Sequence, residues 1–244
     1  SSMLLTVVAG VLFFLFGLPW LADRVARAIP PEVEAPIGEQ VLTMLDATAL
    51  EPSALDAAQQ ARWQAVFDRF MASQAQGDRY RLAFRDMGDG VANAFAVPGG
   101  SIVFTDALLE GVQHDEEFIA VLAHELGHQV ERHVMRSVLQ QSAVALLVAV
   151  FTGDVSAATG VAVAVPTFLL DNHYSREFER EADAFAFRAL RERGLPPEWF
   201  AVALGRIARQ SADAAASDAA DVDDDVDDDT DDDADDDDVD RATA

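Results

Sequence analysis

Residues 1–22, SSMLLTVVAGVLFFLFGLPWLA, carry no charged side chain, and no other stretch limits the possible folds of the chain so strongly. A helix crossing about 30 Å of hydrocarbon needs about 20 apolar residues. The run from Met3 to Ala22 has that length. Trp20 suits an interfacial anchor, and Arg24 and Arg27 follow just beyond it. A core helix at the edge of a soluble domain would keep a polar face, and this one has none. A secretory signal peptide would open on positive charge, which is missing here. The nearby A-x-A match, ARA at 26–28, lies past charged residues. A single transmembrane helix over residues 1–23 is therefore expected. The opening SSM reads as a cut end, with further chain expected before it.

The Pro-rich segment IPPEVEAP follows and reads as a linker, placed over residues 24–37, because proline lacks the N–H that a helix interior needs. Helical stretches are expected at about 38–49 and 53–76. The second opens at Ser53 and sets Trp63, Val66, Phe67 and Phe70 at helical spacing. YRLAFRD reads as a strand, MGDG as a turn, and VANAFAVPGGSIVFTDALL as strand, turn, strand and helix start. Another helix begins near Asp115. The charge-free runs Ser137–Gly153 and Val155–Leu170 fall short of clear spanning length. They read as buried core helices, with a hairpin dipping into the membrane as the competing reading. A helix from Ser175 to about Arg193 ends at Gly194, with Pro196 and Pro197 beyond, and a last helix reaches about Gln210. The expected fold is α+β and predominantly helical, a domain over residues 38–210 with a small sheet of about three strands beside the helix from Asp115.

The formal charge of −26 hides two regimes. From Ser211 onward there are 17 Asp and one Arg, so the tail carries −16 and the rest of the chain −10. The tail has too little apolar surface to fold, and disorder is expected over 211–244. It has no EF-hand spacing, which would need a Gly and a closing Glu. No basic patch points to nucleic acid. With no cysteine in the chain, a metal site must draw on His, Asp and Glu.

Three of the five histidines fall within VLAHELGHQVERH, residues 121–133. On a helix, His124 and His128 stand at i and i+4 and project from one face. Two imidazoles so placed can grip zinc, and Glu125, about 100° around, can act as base for a water activated by the metal. A catalytic zinc site also needs a third protein ligand. His133 does not fit that role: the HExxHxxGxxH spacing would require Gly where Glu131 stands and His where Val134 stands. On a continuing helix it points away, as a packing or hydrogen-bonding residue. The better source is SREFEREADAF, residues 175–185. Glu179 with Asp183, and Glu177 with Glu181, each share a helical face, and spacing alone does not choose between the pairs. Just upstream, His173 and Arg176 are candidates to donate to the oxyanion of an attacked carbonyl.

NAFAVPGGSIVFTDALL, HELGHQVERH and YSREFEREADAFA, in that order, resemble the membrane-associated zinc metallopeptidases that include HtpX, BepA and the CAAX prenyl proteases, gluzincins with HExxH and ExxxD motifs. The resemblance covers roughly residues 35–210. It implies one Zn2+ per chain, with Glu179 as third ligand beside His124 and His128. Asp183 would orient a zinc-binding histidine or help proton transfer, and Glu177 and Glu181 would be surface acids. It also implies a substrate-binding edge strand in NAFAVPGG, where Asn93 would contact the peptide or hold the strand.

The expected function is that of a membrane-anchored zinc endopeptidase acting on protein or peptide substrates, in quality control by resemblance, with Glu125 as base. The alternative is a latent, zinc-containing chaperone or binding module. A prenyl-protein protease fits less well, because that class buries its site among many spans. A bacterial-type inner membrane is expected. Arg24 and Arg27 favour a cytoplasmic domain and the periplasmic relatives favour the opposite side, and the oligomeric state stays open.

Overall fold

A computed structural model describes residues 2–152, 170 and 174–224. Helix α1 runs Ser2–Ala28 and is long and apolar enough to cross a membrane by length and composition. A π-helical turn at Phe13–Gly17 widens it just before Pro19. Proline cannot donate to the carbonyl four residues back and its ring crowds that group, so a wider turn relieves the conflict. Only Leu18, Ala22 and Ala26 of this helix are buried against the rest of the protein, all in its second half.

The Pro-rich segment expected as a linker is instead helical: α2 spans Pro31–Thr48. Pro30 is its N-cap and Pro31 its first residue, where the missing N–H costs nothing. Pro36 sits inside the helix but early enough to forfeit a single backbone bond. Helix α3, Ala57–Met71, starts later than Ser53, because Asp56 and Gln59 form a capping box. The Ser53 hydroxyl instead donates to buried Asp106 at 2.6 Å.

Among the described residues the sheet has four strands: β1 (Glu51–Pro52), β2 (Arg81–Asp86), β3 (Ala94–Val97) and β4 (Ser101–Thr105). Their spatial order is β1-β2-β4-β3, with β4 parallel to β2 and antiparallel to β3. The short α4 (Asp106–Gly111) leads into α5, Asp115–Val130. Helix α6 spans His133–Thr152, α7 Arg176–Glu192 and α8 Glu198–Asp224. Thus the last helix passes well beyond Gln210, and the tail expected to be disordered is helical over its first part. The rest of the tail, most of the second apolar run and His173 lie outside the described residues.

The main core lies between α3, the sheet and α5, where Phe118 stacks on Trp63 at 5.0 Å and meets Phe104 at 4.6 Å. This core fixes one face of α5 and leaves the face bearing His124 and His128 toward α7. There the middle of HELGH matters: a Cβ on Gly127 would stand 2.9 Å from the Ala182 Cα. Glycine lets the two helices approach almost backbone to backbone, which brings their polar residues within ligating range.

Candidate metal centre

His124 and His128 Nε2 lie 3.0 Å apart on that face, with His128 buried and His124 partly so. From α7, Glu179 brings Oε2 to 3.4 Å from His124 Nε2 and Oε1 to 3.7 Å from His128 Nε2. One ligand atom from each residue falls within 4.8 Å of the others. Two nitrogens held about 2.05 Å from a tetrahedral ion stand about 3.3 Å apart. The donor set and its spacing therefore fit zinc. Glu177, two residues earlier and on the other side of the helix, is exposed.

Electrostatics point the same way. Burial works against a charged His124, but Asp183 and Glu179 outweigh it and raise its pKa to about 10. Burial, with His124 and His133 nearby, pushes His128 down to about 2. One histidine thus holds a positive charge against the carboxylates while the other stays neutral, and a divalent ion would take over that charge. Asp183 Oδ1 lies 3.1 Å from His124 Nδ1, without the alignment of a hydrogen bond.

Glu125 is buried beside this cluster, where the Ala96 backbone N–H favours its charged form. Its Oε2 has no hydrogen-bond partner among the described residues. Burial first, and the charge of Glu179 after it, raise its pKa to about 7 against the opposing pull of His124. One turn on, Gln129 donates to the carbonyls of Val97 and Ser101 at 2.6 and 2.8 Å. Helix α5 is thereby pinned to the β3–β4 turn.

Strand β3 ends the sheet among the described residues, yet all its side chains are buried. The Thr105 N–H bonds to the Asn93 carbonyl, so by antiparallel alternation Ala94 and Ala96 turn their backbone groups outward. It is thus a backbone edge beside Glu125 rather than an exposed strand face. The Asn93 amide donates to the Leu170 carbonyl at 3.0 Å and lines the cleft, which fits a residue that holds neighbouring chain in place.

The cleft measures about 200 Å³ and is walled by Val121, Tyr174, Phe200 and Leu204 around the three ligand candidates and Glu125. The Phe200 ring from α8 stacks on His124 at 5.2 Å. Tyr174, which the sequence did not single out, packs its ring 4.0 Å from that of His128. Its only signal was being one of two tyrosines in the chain, next to a motif rich in ligand types. Arg176, at the first turn of α7, is exposed and not part of this lining.

Two readings of the local sequence change. Helix α5 does not continue through His133: it ends at Val130, Arg132 adopts φ 56°, and α6 starts at His133. The break turns His133 back so that its Nδ1 lies 3.0 Å from Nδ1 of His128. Glu181 is not a free surface acid, since it accepts from His133 Nε2 at 2.8 Å and from Arg136 at 2.7 Å. Burial would raise its pKa, but these two partners outweigh it and lower it.

A family model for peptidase family M48 matches residues 57–217, from α3 into α8 and across every element of this centre. The chain belongs to that family. The M48 domain here is 27% identical over 160 residues to the mitochondrial metalloendopeptidase OMA1 of Schizosaccharomyces pombe, covering 66% of this chain and 44% of the relative. It is 30% identical over 112 residues to a putative beta-barrel assembly-enhancing protease of Vibrio cholerae, covering 42% and 23%. Metalloprotease LoiP of Escherichia coli is 31% identical over 121 residues, covering 48% of each. The chain spans less than half the length of these relatives.

Proposed function

We propose that this M48 peptidase is a membrane-anchored, zinc-dependent endopeptidase in which His124, His128 and Glu179 hold one zinc ion. The observation that carries this reading is the convergence of two Nε2 atoms and one carboxylate from separate helices, with buried Glu125 beside them. A bound zinc ion supplies a Lewis acid that acidifies a water and polarises the scissile carbonyl. Glu125 takes the proton of the attacking water through its unpartnered oxygen and passes it to the leaving amine as the C–N bond breaks. Burial raises the pKa of Glu125 and a bound dication would oppose that rise, so the group is poised between accepting and releasing a proton. Asp183 steadies the ring of His124.

Three residues compete as donor to the oxyanion. Tyr174 is the one favoured by the cleft wall, over exposed Arg176, with His173 outside the described residues. The substrate is a protein chain that adds its backbone along the outward edge of β3 near Ala94, a mode tolerant of sequence. Val121, Phe200 and Leu204 offer an apolar pocket for one side chain. Helix α1 is the anchor, in a bacterial-type inner membrane, and the substrates are unfolded or membrane-associated chains of protein quality control. Relatives whose names mark them as metalloendopeptidase and protease support this reading.

The test is metal content and casein cleavage by the full chain in detergent, wild type against Glu125→Gln. One zinc in both proteins, with cleavage by wild type alone, is expected. Zinc in both and cleavage by neither would replace the enzyme with a binding module.

A further inference from the structure

Behind the ligand cluster, an unbroken series of polar contacts leads from His128 to the end of α1. It begins with a tautomer. Glu181 is a carboxylate and accepts, so His133 Nε2, 2.8 Å away, must carry the hydrogen. His133 Nδ1 is then the acceptor, and the Nδ1 of His128 at 3.0 Å must donate to it. That leaves the lone pair of His128 on Nε2, the atom that faces His124 and Glu179. The His133 ring is held in plane by parallel stacking on Phe178 at 4.3 Å, and the Arg136 guanidinium lies over the Phe178 ring while bonding Glu181.

The same break that turns His133 inward is clamped by α1. Arg132 donates to the carbonyls of Ala26 and Ile29 at 2.5 and 2.6 Å. These carbonyls belong to the last turn of α1 and to the residue that caps it, where the helix ladder runs out of backbone donors. Arg27 pairs with Glu131 at 3.0 Å, and Asp23 lies 3.4 Å from Arg136. Glu131 and Arg132 at the break, and the arginine that secures Glu181, thus each contact the N-terminal helix or its cap. A non-glycine residue at positive φ is strained, and the two carbonyl bonds of Arg132 offset that strain only while α1 is in place.

We propose that His133 is a positioning residue that fixes the tautomer and ring plane of His128, and that the end of α1 holds His133 there, so that metal affinity depends on the apolar N-terminal helix. This rests on His128 being a metal ligand. Partners of this kind behind a ligating histidine typically change metal affinity by about 10–100-fold.

The test is zinc affinity of the full chain in detergent micelles, by competition with a chelating dye, alongside the melting temperature of the zinc-free protein. His133→Phe keeps the ring on Phe178 but offers no acceptor, and is expected to bind zinc about 10–100-fold more weakly. His133→Asn returns an acceptor near the old Nδ1 position and is expected to recover most of that loss. Arg132→Ala, which releases the end of α1, is expected to weaken zinc binding by a smaller factor. Unchanged affinity in a folded His133→Phe protein overturns the positioning role. An equal loss in the Phe and Asn variants overturns it too, because packing alone would then explain both. If His133→Phe does not fold, Glu181→Ala makes the same test from the half-exposed side, and unchanged affinity there overturns the tautomer argument. Unchanged affinity in Arg132→Ala overturns the role of α1. His128→Ala separates the levels: if it keeps wild-type affinity, the ligand assignment itself fails, whereas loss there without loss in His133→Phe removes only the positioning role.

Discussion

Gly127 and Ala182 meet so closely that their helices have room for no side chain between them: an added Cβ would fall 2.9 Å from one Ala182 backbone atom and 3.0 Å from another. Since His128 follows Gly127 and Asp183 follows Ala182, this contact sets the distance across the whole centre. Gly127→Ala is expected to destabilise the protein by about 1–3 kcal/mol through overpacking, less up to about 1 kcal/mol regained from helix propensity. Urea unfolding measures it. Full stability with full zinc affinity would show that the helices part without consequence.

The two acids on α7 that compete for the ligand role separate cleanly. Glu179→Ala removes a carboxylate that lies 3.4 Å from His124 Nε2 and should abolish stoichiometric zinc binding after dialysis. Glu177→Ala, at an exposed position, should leave it intact. Metal analysis by mass spectrometry distinguishes them, and retention of zinc by Glu179→Ala would send the search to another carboxylate.

Zinc binding should release protons. In the metal-free protein His124, with its pKa near 10, is protonated at neutral pH, and it must be neutral to ligate. Between about pH 7 and 10, binding should therefore release about one proton per ion, and affinity should rise about tenfold per pH unit. Below about pH 7, Glu125 holds a second proton that a nearby dication would expel, so the dependence steepens. Calorimetry in buffers of different ionisation enthalpy counts these protons. A pH-independent affinity would mean that the metal-free His124 is already neutral.

The wall of the cleft hangs on one ion pair. Glu117 on α5 is 0% exposed, and its carboxylate is held by Arg206 of α8 at 2.6 Å. Removing one partner leaves a buried charge. Arg206→Ala should cost about 3 kcal/mol, and the Glu117→Gln, Arg206→Ala double variant should recover part of it. Additive losses in the double variant would show that the two residues do not act as a pair.

The ligand helix, the three longer strands before it and the acid-rich helix were legible because their signals are local. Helical spacing at i and i+4 and turn glycines act over a few residues. What was not legible depends on distant chain. Arg132 takes a left-handed conformation that no glycine announces, and what stabilises it are the carbonyls of Ala26 and Ile29, a hundred residues away. With that break unseen, His133 pointed away from His128, and Glu181 had no reason to be more than a surface acid. Pro31 misled for a simpler reason: a proline signals both a chain break and the first turn of a helix, and here it is the second.

The placement of His128 and Glu179 on separate helices has a mechanical consequence. Between them the chain makes an excursion that includes both charge-free apolar runs. An ion bound to both residues ties the two ends of that excursion together, as a covalent cross-link would. Cross-links act largely by restricting the unfolded chain. Chelation would then do more than silence catalysis: it would untie the apolar loop at both ends at once, and a protease stripped of its metal would become easier prey for others.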